Sequence, residues 1–144
     1  MNNKKFDERQ LWIRGNIFQH MVIIFVVLLF INAFLVSNDI IWADGFHSSI
    51  IIILSGIMVG SVEMIFKEAY FTNLIQQIFL IVLIGGLALL TLILNILHII
   101  DGEKIISEGS LTDTGGLLIM SVLMLIIGLS GIIKLLSDKL KKKE

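Results

Sequence analysis

The side chains here with the means for metal or proton chemistry are few, and they are spread out. His47 opens one long apolar run and His98 nearly closes another, with Asp44 and Asp101 nearby in sequence. Imidazole and carboxylate together can hold zinc. No run carries an HxxxH or ExxH spacing, so each ligand would have to come from a separate element. The expectation is therefore interfacial histidines and no metal. His20 falls at the opposite end from the other two. Glu63 is the one acid inside an apolar run, the kind of group that carries a coupling proton in a transporter. It lies four residues before Lys67, about 6 Å along a helix at 1.5 Å per residue. There it can reach the headgroups or pair with Lys67 at i,i+4 spacing.

Enzyme signatures are missing: no HExxH, no G-x-S-x-G elbow and no Walker loop occurs. The sequence has no cysteine, which removes disulfides, thiolate metal sites and thiol nucleophiles together. The expectation is a protein without catalytic residues or cofactor. The basic residues cluster at the borders of the apolar runs and form no groove, which argues against nucleic acid as a partner.

The elements that would position these groups are long apolar runs. Of 144 residues, 56% are hydrophobic and only 16% are charged, with a mean hydropathy of +0.96. Ile17–Val36, Phe46–Phe66, Leu74–Ile100 and Gly115–Leu136 span 20, 21, 27 and 22 residues. About 20 apolar residues cross the roughly 30 Å hydrocarbon core of a bilayer. The links Ser37–Gly45, Lys67–Asn73 and Asp101–Thr114 are short, and short links join antiparallel neighbours. The fold class predicted is all-α: a polytopic integral membrane protein of four transmembrane helices in an up-down-up-down bundle. Residues 1–144 form a single membrane domain, with a juxtamembrane N-terminus over 1–16 and a basic tail over 137–144. The absence of proline favours unbroken helices. Ala43-Asp44-Gly45 loosely matches a cleavage site, but the first run is too long for a signal h-region and is read as a retained helix.

Charge placement gives an orientation. Lys4, Lys5, Arg9 and Arg14 precede the first run, Lys67 follows the second, and Lys134, Lys139, Lys141, Lys142 and Lys143 end the chain. Ten of eleven basic residues thus share one side, against Lys104 on the other with Asp39, Asp44, Asp101, Glu103, Glu108 and Asp113. The positive-inside rule places both termini in the cytoplasm of a cell that carries the protein in its plasma membrane. Trp12, Trp42 and Tyr70 fall at the expected boundaries, where amphipathic rings anchor helices.

The segment Asp7-Glu8-Arg9-Gln10, followed by Ile13-Arg14-Gly15-Asn16 and the first apolar run, resembles a group of uncharacterised small bacterial membrane proteins that carry D-E-R-Q just before a first transmembrane helix. The likeness covers the N-terminal third best. It implies a four-helix membrane protein of a family without assigned function, and no catalytic residues to transfer.

Two packing faces are predicted. Ala88, Thr91, Asn95 and His98 follow i, i+3, i+7, i+10, a polar stripe that should point into the bundle, with Asn32 as its partner. Gly56 and Gly60 form a GxxxG, and Ser49, Ile53, Gly56, Gly60 and Glu63 make one seam. Small residues there should let a helix approach closely, either the fourth, through Ser121, Met124, Gly128 and Gly131, or the second helix of another copy. Met58 should then face lipid. The functional expectation is an accessory or regulatory membrane component that acts by contact with itself or with another membrane protein in the lipid bilayer. The alternative is a small oligomeric transporter or channel. Small multidrug exporters are similar in size and use one membrane glutamate, but Glu63 lies in the second helix near the cytoplasmic end, and the ten-to-one charge bias departs from dual topology.

Overall fold

The computed structural model describes residues 8–69 and 74–141. Lys4, Lys5, Asp7, Tyr70, Lys142 and Lys143, used above, lie outside the described residues. The chain is helical: α1 (Glu8–Ser37), α2 (Gly45–Phe66), α3 (Leu74–Ile100) and α4 (Asp113–Lys141), with a hairpin of β1 (Ile106–Ser107) and β2 (Ser110–Leu111) before α4. Each of the four helices is long and apolar enough to cross a membrane.

Local chemistry sets the ends. α1, α2 and α3 all close with the same capping pattern. A residue in the left-handed region follows the helix, and the next amide reaches back five residues: Ile40 to Leu35, Ala69 to Met64 and Glu103 to His98. The left-handed positions are Asp39 (φ 58°), Glu68 (φ 57°) and Gly102 (φ 99°). At the end of α2 the pattern also has its usual apolar contact, because Ala69 and Met64 are buried together with Ile17 of α1. α2 starts on Asp44, an N-cap whose carboxylate accepts the His47 amide. The two-residue turn Glu108-Gly109 has positive φ at both positions, as the twist of a tight hairpin requires. Leu111 also donates its amide to the Trp42 carbonyl at 2.8 Å, which ties this hairpin to the α1–α2 link.

The apolar runs matched the helix ends closely at Phe66 and Ile100. The starts differ most at α1, which begins at Glu8 rather than near residue 17. The polar first turns stay helical because one face packs on the end of α2. Gln10 donates Nε2 to the Glu68 carbonyl at 3.2 Å, Arg14 donates Nε to the Ala69 carbonyl at 2.6 Å, and Ile13 and Ile17 join the core with Met64.

The helices pack in the order α1, α2, α4, α3. Burial follows that order: 33% and 28% of the spanning windows of α2 and α4 are buried, against 0% and 17% for α1 and α3. Contacts between α1 and α2 run in opposite chain directions, Met21 on Gly60 and Phe25 on Gly56. Those between α3 and α4 do the same, Ile81 on Gly131 and Gly85 on Gly128. α2 and α4 meet with matched ends, His47 against Gly116 at one end and Glu68 against Lys134 at the other.

Three packing expectations are corrected here. Gly56 and Gly60 are buried as the GxxxG reading required, but against α1, because α4 occupies another face of α2. Burial runs Ile52, Gly56, Gly60, Met64 in four-residue steps, so Ile53 is exposed, and Met58 is half-buried rather than lipid-facing. On α3 the buried row is Ile81, Ala88 and Asn95, with half-buried Gly85 and Leu92 between them and Ile99 following. Thr91 and His98 are exposed, one position off this row. Thr91 can face outward because its hydroxyl bonds the Leu87 and Ala88 carbonyls at 3.0 Å.

Candidate functional site

The end of the molecule where α2 and α4 start holds Asp44, His47 and Asp113, whose ligand atoms all lie within 4.8 Å of one another. Asp44 Oδ1 accepts the His47 amide at 2.7 Å, and Oδ2 accepts its Nδ1 at 2.9 Å. Asp113 Oδ1 lies 3.8 Å from the same Nδ1. His47 is buried because α4 presents Gly116 to it, where an added Cβ would overlap the imidazole. The amide and then the imidazole of His47 hold the Asp44 carboxyl below its ordinary value of 3.8.

Three such donors could take a divalent cation. Both Asp44 oxygens, however, already serve His47, and two helix N-termini meet here, where partial positive charge favours carboxylates without any ion. Asp44 caps α2 and Asp113 stands in the first turn of α4. Sequence reasoning paired Asp44 with His47 but missed Asp113, which arrives only through the α2–α4 contact. His98 is matched differently from the sequence expectation: its Nδ1 lies 3.3 Å from Glu103 Oε1. Glu103 also accepts the Thr114 hydroxyl.

At the other end, two groups of charges join helices. Glu63 Oε2 lies 3.0 Å from His20 Nδ1 of α1, and its Oε1 accepts Lys67 Nζ at 2.5 Å. The i,i+4 pairing read from sequence is thus present. His20, set apart in the sequence, becomes the partner of Glu63 because α1 and α2 run past each other in opposite directions. The His20–Glu63 pair is the candidate functional site: an imidazole and a carboxylate in contact between two candidate spans. Below it, Lys134 of α4 is buried and donates to Glu68 Oε1 at 2.7 Å and to Asp138 Oδ1 at 2.9 Å.

Asn95 is buried, and its Nδ2 donates to the Thr91 carbonyl of its own helix at 2.9 Å. Asn32, expected to meet it, instead accepts Trp42 Nε1 at 2.7 Å. A tryptophan ten residues on, after a turn, was the nearer donor, and α1 and α3 lie at opposite ends of the packing order.

Neither a protein-family model, a curated protein nor a solved structure matches the chain.

Proposed function

We propose that the chain is a four-span protein of the plasma membrane, crossing it up-down-up-down with both termini in the cytoplasm. We propose further that it is a non-enzymatic accessory or regulatory component acting by lateral helix contact with itself or another membrane protein. The observation that carries this reading is the packing order. α1 is covered by α2 and leaves its spanning window unburied. An edge helix of that kind offers its remaining surface to lipid or to a partner helix. Where α2, α3 and α4 meet, Ser61, Ile65, Ile81 and Ile127 line a small cleft of about 10 Å³.

The second reading, a small oligomeric transporter or channel, draws on the His20–Glu63 contact. Two measurements separate the readings. Single cysteines in this cysteine-free chain at Ser37 and Ser107 should react with an impermeant maleimide in intact cells, and one at Ser137 only after lysis. The reverse pattern ends the proposed topology. Reconstituted vesicles should show no proton-driven flux; a flux that disappears in Glu63→Gln would favour the transporter.

A further inference from the structure

We propose that the basic end of α1 and the start of the α2–α3 link form a binding site for the phosphate of an anionic phospholipid headgroup. Arg9, Trp12, Ile13 and Asn16 follow i, i+3, i+4, i+7, so they share one face of α1. With Lys67, which caps α2, they line a cavity of about 340 Å³. That face neighbours the one by which Gln10, Arg14 and Ile17 hold the end of α2, so the cavity is fixed by the same packing.

The lining has the chemistry of a phosphodiester at a membrane surface. Arg9 offers a planar fork of N–H donors that matches phosphate oxygens two at a time. Lys67 has given one N–H to Glu63 at 2.5 Å, and an ammonium carries three. Asn16 adds a neutral amide for the glycerol or ester oxygens. Trp12 and Ile13 supply an apolar wall for the upper acyl chain, and Trp12 is exposed at 69%.

Depth agrees with this chemistry. A helix of 30 residues is about 45 Å long, roughly 15 Å more than the hydrocarbon core needs. The apolar run of α1 starts at Ile17, with Gln19 and His20 its polar interruptions at this end, so Glu8–Asn16 runs through the headgroup layer. Lys67 follows Phe66, the last residue of α2, at the same level. The assignment rests on the membrane placement proposed above.

The test uses the full-length chain carrying Trp42→Phe, which leaves Trp12 as the single tryptophan. It is reconstituted in phosphatidylcholine vesicles containing a minor fraction of lipid with brominated chains, either phosphatidylglycerol or phosphatidylcholine. Brominated phosphatidylglycerol should quench Trp12 several-fold more steeply than brominated phosphatidylcholine. Arg9→Gln with Lys67→Gln should bring that ratio to unity, and the charge-keeping pair Arg9→Lys with Lys67→Arg should retain a preference. Removing tail charge by Lys139→Gln with Lys141→Gln should leave the ratio intact. Should the double variant lose helicity, Arg9→Gln alone, on an exposed side chain, must still lower the ratio.

Equal quenching by both lipids in the parent protein would overturn the site while leaving the membrane placement standing. So would a preference that survives Arg9→Gln with Lys67→Gln or falls with the tail lysines. No quenching by either lipid would overturn the membrane placement itself. Erasure of the preference by inorganic phosphate at matched ionic strength would reassign the cavity to free phosphate and overturn the lipid.

Discussion

Gly128 approaches Gly85 so closely that a methyl group added to it would lie 2.8 Å from the Gly85 Cα, whereas one added to Gly85 would lie 3.8 Å from the Gly128 Cα. The first distance is an overlap with backbone, which has no rotamer to change. The second is ordinary van der Waals contact. Gly128→Ala should therefore push α3 off α4 and destabilise the protein by about 2 kcal/mol. Gly85→Ala should be neutral or stabilising by up to about 1 kcal/mol, through better helix propensity. Thermal unfolding of the two variants in the same detergent checks this, and equal effects would mean that the crossing is looser than it stands here.

A similar asymmetry separates the two glycines of α2. A Cβ at Gly60 would overlap the Sδ and Cγ of Met21, and one at Gly56 the ring of Phe25. A methionine end turns aside at little cost, but a phenyl ring moves as a whole. Gly56→Ala should cost more than Gly60→Ala, by about 1 kcal/mol. Phe25→Leu should recover most of the loss in the Gly56→Ala background and none in the Gly60→Ala background. A double-mutant cycle reads the coupling directly.

Lys134 gives a third asymmetry. Its side chain is 11% exposed, while those of Glu68 and Asp138 are 73% and 41% exposed. Lys134→Met leaves two carboxylates that water can solvate and should cost about 1 kcal/mol. Glu68→Gln with Asp138→Asn leaves a buried ammonium without a counter-charge and should cost about 3 kcal/mol. Chemical unfolding at neutral pH distinguishes the two; a larger loss from Lys134→Met would contradict the burial argument.

The Asp44 cap should show in an acid titration. His47 lowers the Asp44 carboxyl from its ordinary 3.8, so the folded state binds the proton less readily than the unfolded chain. The stabilisation is complete above the ordinary carboxylate value and is lost as pH falls through the lower folded value. Asp44→Asn keeps an acceptor for the His47 amide and should remove that part of the acid sensitivity. Asp44→Ala should lower the melting temperature at neutral pH as well. Identical acid profiles for the parent and Asp44→Asn would show that the carboxylate is not held by His47.

The helices were legible because a long apolar run has few alternatives to a helix. Their ends at Phe66 and Ile100 were legible for a related reason: the apolar run stops where the capping turn begins. That α1 runs unbroken from Glu8 was hidden because Gln10 and Arg14 gain their partners, the Glu68 and Ala69 carbonyls, only after α1 and α2 have met. Which glycine faces which helix was hidden for a different reason. α2 and α4 both carry small residues at helical spacing, and spacing alone leaves a rotation of one residue, about 100°, undetermined. Hence Ala88 and Asn95 were placed on the buried row correctly while Thr91 and His98 were not. His20 and Asp113 could be assigned partners only once the neighbours of α2 were known on both of its sides.

The packing order α1, α2, α4, α3 also bears on how the molecule comes together. Each outer helix is bound to the neighbour that precedes or follows it in the chain, α1 to α2 and α3 to α4. Two hairpins can therefore close as the ribosome delivers them, each complete before the other is needed. Among the described residues the halves find one another along the seam between α2 and α4 and where Leu111 of β2 meets Trp42 of the α1–α2 link. The seam is marked at one end by His47 on Gly116 and at the other by Glu68 on Lys134. A chain cut after Ala69 would give one α1–α2 and one α3–α4 hairpin, which the α2–α4 seam and the Leu111–Trp42 bond would rejoin.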